Sequence, residues 1–205
     1  MENVYYPRRK EFFAKVRELI TDERCRTAIE VAYNLSKEVF RGKLRDDGER
    51  AFNHCKAVAW IIMTETGIRD QLRLTILIIT ALWHDVMEDT FTAQKKHLRF
   101  IFDQLNPDIA ESAYELTKSK DKLKKWIRLL KSRRLPTKIV KAADRLHNQR
   151  TLLACKRAKI RRKNKETREI ILPWLRAEPT NADILALADK IEEQTTLNER
   201  ALKPK

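Results

Sequence analysis

Glycine and proline are scarce, three and six in 205 residues. Turn-dense β architectures draw on both. Their scarcity, beside long stretches rich in Ala, Leu, Glu, Lys and Arg, therefore predicts an all-α fold. Cysteine is sparse too. Cys25, Cys55 and Cys155 are odd in number, scattered and without a Cys-x-x-Cys pair. That argues against a disulfide framework and a thiolate zinc site, and for a reducing compartment. No apolar run approaches the ~18 residues that cross a bilayer. The opening Met1-Glu2-Asn3-Val4-Tyr5-Tyr6 lacks the basic-then-apolar layout of a signal peptide. We expect a soluble cytoplasmic protein with no membrane contact. Acidic residues are the minority: 44 Lys and Arg face 29 Asp and Glu, a net charge of +15. Much of the excess lies in two runs, Lys118 to Arg134 and Lys156 to Lys165. Such a balance fits nucleic-acid binding or attraction of a highly phosphorylated small molecule, although basic runs are usually plain solvated faces.

No repeat, low-complexity tract or Gly/Ser linker interrupts the chain, so residues 1–205 are expected to form one domain. Helices are predicted over 8–20, 22–41, 50–65, 70–88, 92–104, 107–117, 120–133, 136–158, 164–176 and 180–199, about ten in all. Asp22 and Asp70 read as N-caps, and Gly67 as the end of the helix before Asp70. The segment Leu72, Leu74, Ile76, Leu77, Ile78, Ile79, Ala81, Leu82, Trp83 is apolar nearly all round, the mark of a central helix. His84 and Asp85 arrive where that helix must emerge, and Glu88 and Asp89 follow one turn later on the same flank. In the later segment, Ile139, Ala143, Leu146 and Leu153 mark a buried stripe. Asp144, Asn148 and Thr151 form an adjacent polar stripe.

Imidazoles and carboxylates set in apolar helices destabilise a fold unless paired or bound to a metal. His54, His84, Asp85 and Asp144 together offer two nitrogens and two carboxylates with no thiolate, a donor set for a hard or borderline divalent ion such as Mn²⁺, Fe²⁺ or Zn²⁺. Four such ligands leave room for water, which the ion acidifies into a nucleophile. Singly, each residue has a bland reading: His54 as a satisfied core histidine, Asp144 with Arg145 as a surface ion pair. Their conjunction favours a metal site.

His54, His84-Asp85 and Asp144 match, in order and identity, the HD-domain metal-dependent phosphohydrolases. The stretches His84-Asp85-Val86-Met87-Glu88-Asp89-Thr90 and Asp144-Arg145-Leu146-His147-Asn148 resemble the hydrolase domain of the RelA/SpoT homologues, which remove the 3′-pyrophosphate from (p)ppGpp. The resemblance runs from about residue 28 to 175. It implies a single HD-domain helical bundle with Mn²⁺ held by His54, His84, Asp85 and Asp144. It further implies Glu88 and Asp89 as general acid/base or water-positioning groups. Arg45 would stack on the purine, Asn148 and Thr151 would hold ribose and phosphate, and Lys120 would contact phosphate. A nucleotide is thus the expected partner. Where the family has a Gly-Glu-Pro-Tyr turn this chain has Gly48-Glu49-Arg50-Ala51. Cys55 replaces the Pro that commonly follows the first metal His, and Asp46 the basic residue after the stacking Arg. The metal set is untouched by these changes, but the mouth is altered, which leaves (p)ppApp or NADPH open as substrates. A chain ending at Lys205 has no room for a synthetase domain, so the small alarmone hydrolases are the expected type. The rival from another class is a catalytically retired HD scaffold that binds nucleic acid through its basic faces. The oligomeric state is not predicted.

Overall fold

In the computed structural model, residues 5–46, 48–86, 106–116, 131 and 134–202 are described. They form α1 (Arg9–Leu19), α2 (Glu23–Val39), α3 (Ala51–Glu65), α4 (Gln71–Trp83), α5 (Pro107–Leu116), α6 (Leu135–Thr151), α7 (Arg157–Glu166), α8 (Leu172–Arg176) and α9 (Ala182–Arg200). Among the described residues there is no strand, only an isolated bridge between Leu44 and Arg50. The all-α expectation holds. The helix expected at 92–104 lies outside the described residues, as does the one at 120–133 apart from residue 131.

Local signals set most boundaries. Asp22 Oδ1 accepts from the amides of Arg24 and Cys25, and Asp70 Oδ1 from that of Arg73, satisfying donors the first turn leaves open. Pro136 sits in the first turn of α6, where its missing N–H is harmless. Gly67 does not adopt the left-handed conformation of a C-terminal glycine; those in the described segments that do are Gly42 and Gly48. Instead its amide donates to Asp183 Oδ1 at 2.6 Å, and a Cβ there would come within 3.3 Å of the same oxygen.

The central helix is α4, with Leu74, Leu77, Ile78, Ile79, Ala81, Leu82 and Trp83 all buried, packed against α2, α3, α5 and α6. Each large aliphatic side chain so buried contributes about 1.5–3 kcal/mol. Polar ties fix the C-terminal end of α4: Trp83 Nε1 donates to the carbonyl of Ala32 (3.0 Å) and Ser36 Oγ to that of Leu82 (2.6 Å). The second central helix, α6, lies against α3, α4, α5 and α9.

The helix expected over 70–88 ends at Trp83, with His84 and Asp85 in a turn, and two others are drawn differently. The segment 136–158 is not one helix: α6 stops at Thr151, Leu152–Ala154 form a 3₁₀ turn, and Cys155 is extended before α7 begins. The Lys156–Lys165 run keeps most of its charged side chains in solvent. The break lets Ile160, Asn164 and Thr167 face the interior. No Gly or Pro marks it, so propensity reads straight through. Leu153, expected in the buried stripe, is consequently exposed, whereas Ile139, Ala143 and Leu146 are buried as expected. The second difference follows from the first. Rather than starting at 164, the helix starts at Arg157 and runs on through a π turn, Thr167–Ile171, into α8. Pro173, which has no N–H to give, lies two residues beyond the end of that turn, in the first turn of α8.

Candidate metal centre

Three helices deliver the four expected donors. His54 comes from the buried face of α3, His84 and Asp85 from the turn that ends α4, and Asp144 from the middle of α6. His54 and His84 are each 1% exposed and Asp144 4%, so the polar atoms sit at the bottom of the packing. One donor atom each from His54, His84 and Asp85 fall within 4.8 Å of one another. Asp85 Oδ2 is 3.3 Å from His84 Nε2 and 3.6 Å from His54 Nε2. Asp144 Oδ1 is 3.2 Å from His54 Nε2 and 3.8 Å from His84 Nε2. Around an ion with bonds near 2.1 Å, adjacent donors stand roughly 3.0–3.4 Å apart. The Nε2 atoms of both histidines are buried without a hydrogen-bond partner. Two orphaned imidazole nitrogens facing two carboxylates fit a divalent cation, and the all-N/O set fits a hard or borderline one.

The other ring nitrogens are occupied. His84 Nδ1 lies 2.7 Å from the carbonyl of Ala81, which can only accept, so Nδ1 carries a proton and Nε2 is the nitrogen turned toward the carboxylates. His54 Nδ1 is 2.9 Å from Nδ1 of His147, also buried. Burial, with Arg45 nearby, pulls the His54 imidazole down to about 4. Burial also opposes a charge on His84, but the neighbouring Asp85 carboxylate outweighs it and raises that ring well above the usual histidine range. Asp85 and Asp144 feel burial in the opposite sense, yet both are held low, Asp85 by His84 and Asp144 by Lys141 and His54. Burial pushes the Cys55 thiol up, in keeping with a centre that uses no thiolate.

The expected substrate residues are brought together only in part. Arg45 Nη2 donates to Asn148 Oδ1 at 2.7 Å, joining the loop before α3 to the polar stripe of α6 at the edge of the metal set. Asn148 Nδ2 in turn donates to Asp144 Oδ1. Thr151 is half-buried, and its hydroxyl donates back to the carbonyls of His147 and Asn148. Asp46 is tied to Lys159 of α7 at 2.7 Å. Glu49 Oε1 accepts from the amide of Arg50 and from Asn53 Nδ2. Glu88, Asp89 and Lys120 lie outside the described residues.

The HD-domain pattern matches residues 32–174. The chain belongs to the HD-domain family. HD domains are metal-dependent, and the four donors come from the matched span. Among its relatives is the bifunctional (p)ppGpp synthase/hydrolase SpoT of Escherichia coli K12, 31% identical over 151 residues, 69% of this chain and 20% of the relative. The guanosine-3′,5′-bis(diphosphate) 3′-pyrophosphohydrolase of Haemophilus influenzae is 33% identical over 149 residues, 68% of this chain and 21% of that one. A GTP pyrophosphokinase of Streptomyces coelicolor is 32% identical over 153 residues, 71% and 17%. The chain thus spans about a fifth of the length of these relatives. The resemblance to the RelA/SpoT hydrolases holds at the level of family.

Two residues close to the donors escaped the sequence reading. Lys141, one turn before Asp144, is buried and places Nζ 2.6 Å from Asp144 Oδ2. Its signal was a lone lysine inside the apolar Ile139-Val140-Lys141-Ala142-Ala143. His147, one turn after Asp144, reaches His54. Its signal was a further histidine on the same helix. The surface pairing considered for Asp144 and Arg145 does not form: Arg145 is buried and pairs with Glu166.

Proposed function

We propose that this protein is a Mn²⁺-dependent hydrolase of the 3′-pyrophosphate of (p)ppGpp, of the small alarmone hydrolase type. The observation that carries the proposal is the pair of buried, unpartnered Nε2 atoms of His54 and His84 converging on Asp85 and Asp144. The names of the relatives supply the substrate class. In this reading the four side chains hold the ion, which when bound polarises a phosphoryl oxygen and lowers the pKa of water. Water adds to the phosphorus nearest the ribose and the bond to O3′ breaks. O3′ takes up a proton, leaving GDP or GTP and pyrophosphate. Glu88 and Asp89 take the water's proton and position its oxygen. Arg45 stacks its guanidinium on the base. Asn148, already bonded to both Arg45 and Asp144, bridges the base side to the metal side, with Thr151 and Lys120 assisting on ribose and phosphate.

A second reading, the same metal-dependent mechanism on another nucleotide such as (p)ppApp, which would lose pyrophosphate, or NADPH, which would lose a single phosphate, draws on the altered mouth. The acid Asp46 follows Arg45 and spends its charge on Lys159, so the cation expected there comes from a different helix. Purified protein with Mn²⁺ is offered ppGpp, pppGpp, ppApp and NADPH, with the Asp144→Ala variant as control. Release of pyrophosphate and GDP or GTP from the guanine alarmones, absent in the variant, supports the first reading. Turnover confined to the adenine compounds supports the second. Binding to random DNA without any turnover supports the retired scaffold.

A further inference from the structure

We infer that His147 is a positioning residue for the metal centre: its Nδ1 accepts the Nδ1 hydrogen of His54 and so keeps the Nε2 lone pair of His54 aimed at the ion. The inference rests on the metal site proposed above and adds to it a residue that touches neither ion nor substrate.

The two Nδ1 atoms stand 2.9 Å apart in a region closed to solvent, so one of them donates and the other accepts. If His54 accepted, its own proton would sit on Nε2, the atom that faces Asp85 and Asp144 with no hydrogen-bond partner, and the ring would be unable to ligate. If His54 donates, Nε2 is bare and its lone pair is directed at the space it shares with Asp85 and Asp144. His84 solves the same problem with the carbonyl of Ala81. His54 lies in the first turn of α3, where the carbonyls are engaged along the helix, and a side chain from α6 takes over the task. The proton of His147 then rests on Nε2, which likewise has no hydrogen-bond partner.

The ring of His147 is itself held in place. Its centroid is 4.8 Å from that of His54, and Tyr6 meets it edge-on at 5.5 Å, ahead of α1. His147 also sits on the same helix as Asp144, one turn away, so the two lock His54 from both ring nitrogens. Asp144 Oδ1 approaches Nε2 at 3.2 Å while His147 holds Nδ1.

The test compares wild type with His147→Leu, which keeps bulk and removes the acceptor, and His147→Asn, whose amide oxygen replaces Nδ1 as acceptor. Mn²⁺ affinity and stoichiometry are read by calorimetry, and folding by the melting temperature in chelator. Loss of a partner that orients a ligating histidine lowers metal affinity about 10–100-fold. His147→Leu should show that loss and His147→Asn should recover most of it, with one ion per chain in all three. In the metal-free protein, nitrogen NMR should report His54 protonated on Nδ1 in wild type and His147→Asn, and a tautomer mixture in His147→Leu. If the leucine variant fails to fold, the asparagine variant and the wild-type tautomer still decide. Equal Mn²⁺ affinity in every variant, or His54 protonated on Nε2 in wild type, overturns the inference and leaves the metal site standing. A wild type that takes up no Mn²⁺ overturns both.

Discussion

The ammonium of Lys141 lies 2.6 Å from Oδ2 of Asp144, one helical turn away on α6, and both side chains are buried. The two carboxylate oxygens of Asp144 therefore have separate partners, Oδ2 a cation and Oδ1 the imidazoles of the metal set. Removing one member of a buried charge pair strands the other, typically at 3–5 kcal/mol. Lys141→Met should accordingly destabilise the metal-free protein by about 3 kcal/mol, roughly 6–12 °C in melting temperature for a chain this long. Saturating Mn²⁺ should recover much of that, because the ion replaces the lost positive charge. A variant that melts with wild type in chelator would show that the pair contributes nothing to the fold.

The contrast between Asp144 and its helix neighbours shows how far the sequence could be read. His54, His84, Asp85 and Asp144 stood out because each is a polar residue that an apolar helix has no reason to carry. Lys141 and His147 are equally buried, yet a lysine three residues from an aspartate resembles an ordinary surface pair. Only the structure reveals that Lys141 is buried against Asp144 and that the packing of α3 against α6 brings His147 to His54. The same holds for the break at 152–156: the turn brings the apolar Ile160 into the interior, and no local residue announces it. Caps at Asp22 and Asp70 were legible because their hydrogen bonds are local.

The His54 ring gives a pH dependence with a definite sign. Burial, assisted by Arg45, sets it to about 4 in the fold, against about 6.5 in an unfolded chain. Between those values the unfolded chain takes up a proton that the folded one refuses. The contribution is thus complete above about 6.5 and is lost as pH falls toward 4, on the order of 3 kcal/mol in total. In chelator, the melting temperature of wild type should fall more steeply from pH 7 to pH 4.5 than that of His54→Gln, which cannot titrate. Parallel profiles would mean that His54 is protonated equally in both states.

Charge along α7 should affect the rate of substrate capture. Lys156, Arg157, Arg161, Arg162 and Lys165 are exposed, and Lys159 on the same helix reaches Asp46 beside Arg45. A surface potential of one sign raises encounter rates with a polyanion about 10–10³-fold. The apparent kcat/KM for an alarmone should therefore drop as the Debye length shrinks from about 10 Å at 0.1 M salt to about 3 Å at 1 M. Reversing charge with Arg161→Glu and Arg162→Glu should flatten that dependence while leaving kcat alone. A kcat/KM indifferent to both salt and reversal would reduce these residues to solubilising surface.

Glu88 carries the sharpest expectation, although it lies outside the described residues. It follows His84 by four positions, and the four proposed donors converge without it. If its carboxylate takes the proton of the attacking water, Glu88→Gln keeps the volume and removes the base. Loss of one general acid/base group lowers the rate about 10²–10⁴-fold. Mn²⁺ affinity should be unchanged by calorimetry, since no ligand is touched. Nucleotide affinity should also hold, because Arg45 and Asn148 remain paired. The variant should then retain uncleaved alarmone long enough to be measured as a stable complex. Turnover within a few-fold of wild type would remove Glu88 from the chemistry, whereas joint loss of metal and turnover would make it a further ligand of the ion.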